Sequence, residues 1–287
     1  MTNAADGGKK ARREHAREIA RQEREAQKRR KKRNRMLLQG GGIVAVLAIV
    51  AVVAVVIATS TPKSTTNPAN MASDGILFTG DGSTVTPVLT TALKAGSDPV
   101  PTDTEALGDT VNIVTYIDFA CPYCNDFETT NAAQIESWVQ QGVATLEVHP
   151  ISILDRMSLG TQYATRAANA SACVASNDPD SFLAVSAALF ANQPAEQTSG
   201  LDTAALKKVV ADAGADSDEI ASCIDDKTYA SWVAAATDRV SNGELASTTV
   251  TEFTGTPLVL VNGQQYGGAV DDAEAFQAFV ASVATAG

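Results

Sequence analysis

The chain has 287 residues, of which 45% are hydrophobic and 19% are charged, and its formal net charge is -11. This length is ample for one ordinary domain with appendages, and it excludes a mini-protein that needs staples to fold. The charge is unevenly divided. The segment from Lys9 to Arg35 contains 14 of the 22 Lys and Arg residues, while residues 1–36 contain only five acids. The first 36 residues therefore carry about +9 and the remainder about -20.

An apolar run follows the basic tail at residues 37–60. The stretch from Ile43 to Ala58 has no polar residue, and residues 37–42 add only Gln39. The run supplies the roughly 20 apolar residues that a bilayer span requires, so the sequence predicts one transmembrane helix. A cleaved signal peptide is the alternative, but its basic leader is normally much shorter than the tail found here.

The basic tail predicts the orientation of this helix, because Lys and Arg beside a first helix stay in the cytoplasm. Residues 1–36 are thus expected to form a cytoplasmic tail, and residues 61–287 are expected outside the cell membrane. The basic run could also bind nucleic acid, but its position next to the span favours an orientation signal that touches anionic lipid. We therefore predict no nucleic-acid partner.

Residues 61–74 are rich in Ser, Thr, Pro and Asn without apolar periodicity, which is typical of a flexible linker. The folded domain is expected over residues 75–287, opening with a hairpin from Ile76–Phe78 and Val85–Leu89. The β-branched and aromatic run from Val111 to Phe119 predicts a buried strand. A helix ending at Gly142 and a second strand from Val143 to His149 should follow, which gives a β-α-β unit.

The rest of the domain divides into a helical part and a returning sheet. Residues from about 155 to 243 are alanine-rich with helical periodicity, and they predict an insertion of four or five helices. The run from Pro257 to Val261, an Asn262–Gly263 turn and Gln264–Tyr266 predict a hairpin. A final helix is expected to open with a capping box formed by Asp271 and Glu274. The fold class is therefore α/β, in the order β-α-β, helical insertion, β-β-α.

Two cysteines, Cys121 and Cys124, lie in the sequence CPYC directly after the first strand of this unit. A cysteine at a helix N-terminus faces unpaired N–H groups and the positive end of the helix dipole, which lower its pKa. Cys121 is thus predicted to be the nucleophile, and Cys124, one turn further and more shielded, the resolving thiol. Pro122 suits the first helical position, because its missing N–H would be unpaired there anyway.

Three parts of the chain, in this order, resemble the DsbA-like thiol:disulfide oxidoreductases of the thioredoxin superfamily. They are DFACPYC at Asp118–Cys124, the helical insertion, and GTPLVLVNG at Gly255–Gly263. The resemblance spans about residues 108–285 and implies a thioredoxin fold with an inserted all-helical subdomain. It also implies a cis Pro257 facing the disulfide, with the backbone of Thr256 presented to a substrate strand. A trans proline opening an edge strand is the alternative.

The chain departs from this family at two positions. Tyr123 stands where such oxidants commonly carry histidine, so we expect a weaker oxidant than the strongest members. Thr115 stands six residues before the first cysteine, where many thioredoxin-fold proteins carry a buried acid that accepts a proton. Asp118 could replace that acid, or it could only cap the active-site helix.

The remaining cysteines, Cys173 and Cys223, fall in the insertion. An even cysteine count in an oxidising compartment predicts a structural disulfide between them, and two buried free thiols are the alternative. Zinc at the CPYC motif is disfavoured, because the chain offers no second close pair of ligands. Besides these cysteines only His149 is expected on the same side of the membrane, since His15 lies in the predicted cytoplasmic tail. We predict no metal and no organic cofactor other than the redox-active disulfide Cys121–Cys124.

Residues and resemblance together predict a membrane-tethered disulfide oxidoreductase that introduces disulfides into exported proteins. The implied partners are reduced exported proteins as substrates and a quinone-linked thiol oxidase of the membrane that reoxidises the pair. One alternative is a disulfide isomerase or reductase kept reduced by a membrane electron donor. Another is a redox-inert chaperone on the same scaffold, because a fold does not fix a function.

Overall fold

The computed structural model describes residues 66–245, 248 and 250–285. The predicted cytoplasmic tail at 1–36, the predicted transmembrane helix at 37–60 and the first residues of the predicted linker lie outside this part of the chain. Within it, no helix has the length and apolar character that a membrane span needs.

A six-stranded sheet in the order β2-β1-β4-β3-β5-β6 forms the centre of the domain. The central pair, β3 and β4, is parallel, and every other neighbouring pair is antiparallel. Helix α1, at Pro122–Gln140, connects β3 to β4 and completes the predicted β-α-β unit. The strands are β1 at Ile76–Gly80, β2 at Val85–Pro87, β3 at Val111–Ile117, β4 at Ala144–Pro150, β5 at Leu258–Val261 and β6 at Gln264–Gln265.

Alternation along β3 produces two cores, one on each face of the sheet, because successive side chains of a strand point to opposite faces. Ile113 and Ile117 belong to the larger core, which also contains the buried face of α1. Val114 and Tyr116 belong to a smaller core on the other face. The C-terminal helix α7, at Ala273–Ala284, adds Phe276, Val280 and Val283 to the larger core.

Five α-helices lie between β4 and β5, where the sequence predicted four or five. Much of α2 is buried alanine, and such small side chains let the neighbouring helices approach its backbone closely. A disulfide between Cys173 on α2 and Cys223 on α5 ties two of these helices together. The helices are α2 at Tyr163–Asn177, α3 at Phe182–Ala191, α4 at Thr203–Asp212, α5 at Asp218–Asp226 and α6 at Ala230–Ser241.

The predicted flexible linker is wrong for residues 67–74, which pack on the domain. Asn70 is buried; its side-chain amide donates to Ala175 O at 2.8 Å and accepts from the Thr90 N–H at 3.0 Å. Composition suggested a linker because most of these residues are polar, but the Asn70 side chain satisfies backbone groups of two other segments instead of facing water.

Asp74 anchors the same segment to the last helix of the insertion. Its carboxylate accepts from Trp232 Nε1 at 3.0 Å and from Arg239 Nε at 2.7 Å, and Arg239 Nη2 lies 2.6 Å from Oδ2. The carboxylate is buried, so these three donors replace its lost hydration. The polypeptide that enters the domain is therefore fixed before β1 begins.

The predicted capping box at Asp271 is wrong by one residue. Asp272 is the N-cap of α7, and its side chain accepts from the Ala275 N–H at 2.9 Å. Two adjacent aspartates satisfy the sequence pattern equally well, and only the path of the chain decides which one caps the helix.

We predict that Asp74→Asn lowers the free energy of unfolding by about 3 kcal/mol, because it removes the buried carboxylate that pairs with the partly buried guanidinium of Arg239. Asp212→Asn is the matched control, since Asp212 pairs with Lys208 in an exposed i,i+4 contact worth less than about 0.5 kcal/mol. Urea denaturation of the two variants measures both effects. Equal losses would contradict the anchoring role of Asp74.

Candidate active site

Cys121 occupies the N-cap of α1, and Pro122 follows at the first helical position. The carbonyl oxygen of Cys121 accepts the first helical hydrogen bonds, from the N–H groups of Cys124 at 3.1 Å and Asn125 at 3.2 Å. Its sulfur therefore lies at the end of the helix where unpaired N–H groups stabilise negative charge. Both cysteines of the motif are free thiols, and both are buried.

Asp118 organises the turn between β3 and α1. Its buried carboxylate accepts from the Ala120 N–H at 2.8 Å and from the Leu154 N–H at 2.9 Å. Its backbone is bonded to both cysteines: its carbonyl accepts from the Cys121 N–H at 2.9 Å, and its N–H donates to Cys124 Sγ at 3.5 Å. This one residue thus fixes the positions of both sulfurs.

The segment just before β5 also contacts the cysteine pair. The Thr256–Pro257 peptide bond is cis. The Cys121 thiol donates to the Thr256 carbonyl oxygen at 3.3 Å, while the buried Thr256 hydroxyl has no hydrogen-bond partner among the described residues. That hydroxyl is free to donate to Cys121 once the thiol has lost its proton.

The pKa values of the two thiols are shifted in opposite directions. The pKa of Cys121 is lowered to about 6, chiefly by a hydrogen bond from the Cys124 thiol, with help from Thr256 and the first N–H groups of the helix. Burial raises the pKa of Cys124 well above its ordinary value, and a thiolate at Cys121 raises it further. Near neutral pH, the reduced pair therefore holds one thiolate, at Cys121, and one thiol, at Cys124.

Asp118 is a third titratable group at the site. Burial raises its pKa to about 7, against the two N–H groups that favour its charged form, and the charges of Cys121 and Asp155 add to the rise. A carboxyl group of this kind can gain or lose a proton close to neutral pH. Asp118 does not cap α1, because its carboxylate binds the N–H groups of Ala120, before the N-cap Cys121, and of Leu154. Proton exchange, the other role that the sequence left open, is compatible with its position.

Gln193, a residue that the sequence analysis missed, joins the insertion to the active-site turn. It lies just beyond α3, and its Nε2 donates to the carbonyl oxygens of Phe119 and Cys121, each at 3.0 Å. Leu154 was also missed, because it acts only through its backbone N–H. No motif identifies either contact, since both depend on how the insertion folds back over the turn.

The sequence also drew attention to Tyr123, Thr115 and His149. Tyr123 is 66% exposed, between the two buried cysteines. Thr115 is buried within β3, and its hydroxyl has no partner among the described residues. His149 stacks on Tyr116 with ring centroids 4.5 Å apart, and its Nε2 lies 3.2 Å from a carboxylate oxygen of Glu147.

The insertion cysteines are joined to each other and are not part of the redox pair. Within residues 66–285, so far as they are described, no group of three or more His, Cys, Asp or Glu side chains is placed to hold a metal ion.

The sequence model of the family described as Thioredoxin matches residues 104–281. The chain belongs to the thioredoxin family. The match includes Cys121, Cys124, the helical insertion and Pro257. No curated protein matches the chain.

Several solved structures that are similar to this thioredoxin-family chain are disulfide oxidoreductases. A reduced disulfide bond oxidoreductase (DsbG) from Mycobacterium tuberculosis is 25% identical, with a TM-score of 0.55 over 73% of this chain and 87% of that one. Oxidised DsbA from M. tuberculosis is 25% identical, with a TM-score of 0.51 over 72% and 98% of the two chains. BdbD from Bacillus subtilis, 16% identical with a TM-score of 0.52 over 78% and 100%, shares the fold. The predicted enzyme class, a disulfide oxidoreductase, is confirmed.

We predict that the stability of the reduced protein depends on pH through Cys121. The pKa of this thiol is about 6 in the folded state against an ordinary value of 9.0, so the unfolded chain binds more protons between these values. The free energy of unfolding should therefore rise with pH from about 6 to 9, and the gain should be lost as pH falls through 6. Urea titrations of wild type and Cys121→Ser test this: parallel pH profiles would contradict it.

We further predict that Gln193→Met lowers the free energy of unfolding by about 1 to 3 kcal/mol, because two carbonyl oxygens beside the buried turn lose a donor. The variant should also raise the pKa of Cys121, since the turn that presents its sulfur to α1 is then held by Asp118 alone and less firmly. Gln140→Met is the control, because Gln140 donates to Ser83 O at an exposed site. Equal behaviour of the two variants in stability and thiol pKa would contradict a role for Gln193.

Proposed function

We propose that the chain is an extracytoplasmic thiol:disulfide oxidoreductase that uses Cys121 and Cys124 to introduce disulfides into exported proteins. The observation that carries this proposal is the placement of Cys121 at the N-cap of α1, in contact with the Thr256 carbonyl oxygen, with the fully buried Cys124 one turn further. A pair of this kind gives one good leaving group and one shielded thiol, which is the combination that disulfide transfer requires.

The reaction begins with the pair oxidised. A substrate thiolate attacks Cys121 Sγ, the bond between Cys121 and Cys124 breaks, and Cys124 leaves with the electron pair and takes up a proton. A mixed disulfide between the substrate and Cys121 results. A second substrate thiolate then attacks the substrate sulfur of that bond, and Cys121 leaves as a thiolate. The substrate has gained a disulfide, and the pair has gained two electrons.

The stabilised thiolate sets the direction of this exchange. A lower pKa of the leaving thiol makes its departure faster and stabilises the reduced pair, so the disulfide becomes a better oxidant. In this structure the Thr256 carbonyl oxygen, just before the cis Pro257, accepts from the Cys121 thiol, and a substrate strand would be held there during the exchange. These contacts support an oxidase function over that of a redox-inert chaperone.

Location outside the cell membrane is supported by the sequence pattern and by one structural feature. The basic tail at 1–36 followed by the apolar run at 37–60 is typical of a cytoplasmic N-terminus with a membrane anchor. The Cys173–Cys223 disulfide in the insertion suits an oxidising compartment, because such bonds are rare in reducing ones. Residues 61–287 would then lie outside the cell membrane.

Repeated turnover requires a partner, because each cycle leaves the pair reduced by two electrons. The resemblance to DsbA-like enzymes implies a membrane thiol oxidase that passes these electrons to a quinone. A membrane anchor would keep the domain within reach of such a partner, since tethering raises the effective concentration of one component near the other.

We predict that Cys124→Ser accumulates mixed disulfides with exported proteins, because the shielded sulfur that would release them is missing. Cys121→Ser should form none and should lose all peptide-oxidising activity. Non-reducing electrophoresis of cells that express each variant measures the adducts. If Cys124→Ser forms no adducts, the assignment of nucleophile and resolving thiol is wrong.

The oxidase and isomerase alternatives differ in the state of the pair in cells. Alkylation with a mass tag after acid quenching should find Cys121 and Cys124 mainly oxidised. A pair found mainly reduced would support the isomerase or reductase alternative, in which a membrane donor supplies electrons. Cys173 and Cys223 should stay untagged before denaturing reduction, so they serve as an internal control.

A further inference from the structure

A cavity of about 590 Å³ lies where β3 begins. Its walls come from residues 104–114, from the turn between β5 and β6, and from the last residue of α7. The cavity lies at the opposite end of β3 from Cys121, and the strand between them is about 20 Å long. Small molecules bind in cavities of about 300 to 1,000 Å³, so this one has the size of a binding site. The redox reaction does not use it.

Asn262, in the turn between β5 and β6, lines this cavity and is held through its side-chain oxygen. Its Oδ1 accepts from the Asn112 N–H at 2.8 Å, and its own N–H donates to Asn112 O at 2.8 Å. A backbone N–H can only donate, so this contact identifies which atom of the amide is the oxygen. The Nδ2 group of Asn262 has no hydrogen-bond partner among the residues that the structure describes. Its two N–H donors are therefore available to a ligand.

Asn112, the second residue of β3, lines the cavity in the same state. Its Oδ1 accepts from the hydroxyl of the buried Thr145 at 2.9 Å. Its Nδ2 group likewise has no partner within the described part of the chain. In both amides the acceptor is occupied and the donors are not. The cavity thus has two hydrogen-bond donor groups whose positions are fixed before any ligand arrives.

Asp109 and Thr104 add acceptors to the same cavity. Neither side chain has a hydrogen bond or an ion pair with another described residue. No Lys, Arg or His is among the described residues that line the cavity. An anion would therefore meet the Asp109 carboxylate without a compensating positive charge. A simple cation would meet two amide groups that can only donate.

Hydroxyl groups satisfy both kinds of wall, because each can accept from an amide and donate to a carboxylate. The cavity also has an apolar part, formed by Val111, Val114 and Ala284, which suits the C–H groups of a sugar ring. We propose that this cavity is a binding site for a neutral saccharide of one or two rings. Because it lies far from Cys121, saccharide binding and disulfide transfer do not compete for the same surface.

Saturation-transfer difference NMR on the full chain tests this proposal, in a polyoxyethylene detergent that contains no sugar. The probes are the methyl glycosides of glucose, galactose, mannose and N-acetylglucosamine, with glucuronate as the anionic counterpart of glucose. At least one neutral glycoside should bind saturably, and glucuronate should bind more weakly than the glucoside. Asn262→Asp should weaken the affinity for the bound glycoside about tenfold, since it replaces two donors by an acceptor.

Asn262→Asp keeps the oxygen that accepts from Asn112, and aspartate tolerates the positive φ of 45° at this position, so the fold is expected to persist. Gln265→Glu is the matched control. It makes the same change from amide to acid on the exposed strand β6, at a residue that does not line the cavity, and should bind as the wild type does. The proposal is overturned if none of the four glycosides binds, if glucuronate binds as tightly as the glucoside, or if both variants keep wild-type affinity.

Discussion

The buried carboxylate of Asp118 is the contact on which the site depends. By accepting one N–H from its own turn and one from Leu154, it joins the end of β3, the start of α1 and the segment that enters the insertion. The turn then delivers Cys121 to the helix N-terminus, and the Asp118 N–H contacts Cys124 Sγ. Burial also raises the pKa of this carboxyl group to about 7. The group that shapes the site can therefore gain or lose a proton when the charge of Cys121 changes.

The insertion is part of this arrangement and not an appendage. Gln193 bonds to carbonyl oxygens on both sides of Ala120. The Cys173–Cys223 disulfide joins two helices of the insertion, and the buried alanines of α2 let its neighbours pack closely. A thioredoxin-type sheet presents the two sulfurs, and the helices hold the turn from the other side.

Local patterns predicted the parts of the fold that depend on neighbouring residues. The β-branched run before Cys121 and the Asn262–Gly263 turn specify β3 and the β5–β6 hairpin through strand propensity and turn geometry. Contacts between distant segments were not predictable. Asn70 and Asp74 look like linker residues by composition, and Gln193 is one glutamine among many. Their roles depend on partners that lie between 20 and 165 residues away in the chain. Asp118 was identified from its nearness to the motif, but its bond to Leu154 required the fold.

Disulfide transfer by this pair requires that Cys121 be a thiolate near neutral pH while Cys124 stays protonated and buried. Limited alkylation of the reduced protein across a pH series, followed by peptide mapping, measures this for each cysteine separately. Cys121 should react with a midpoint near pH 6, and Cys124 should remain unmodified throughout. A midpoint near the value of about 8.5 for a free cysteine, or equal modification of both thiols, would contradict the central claim.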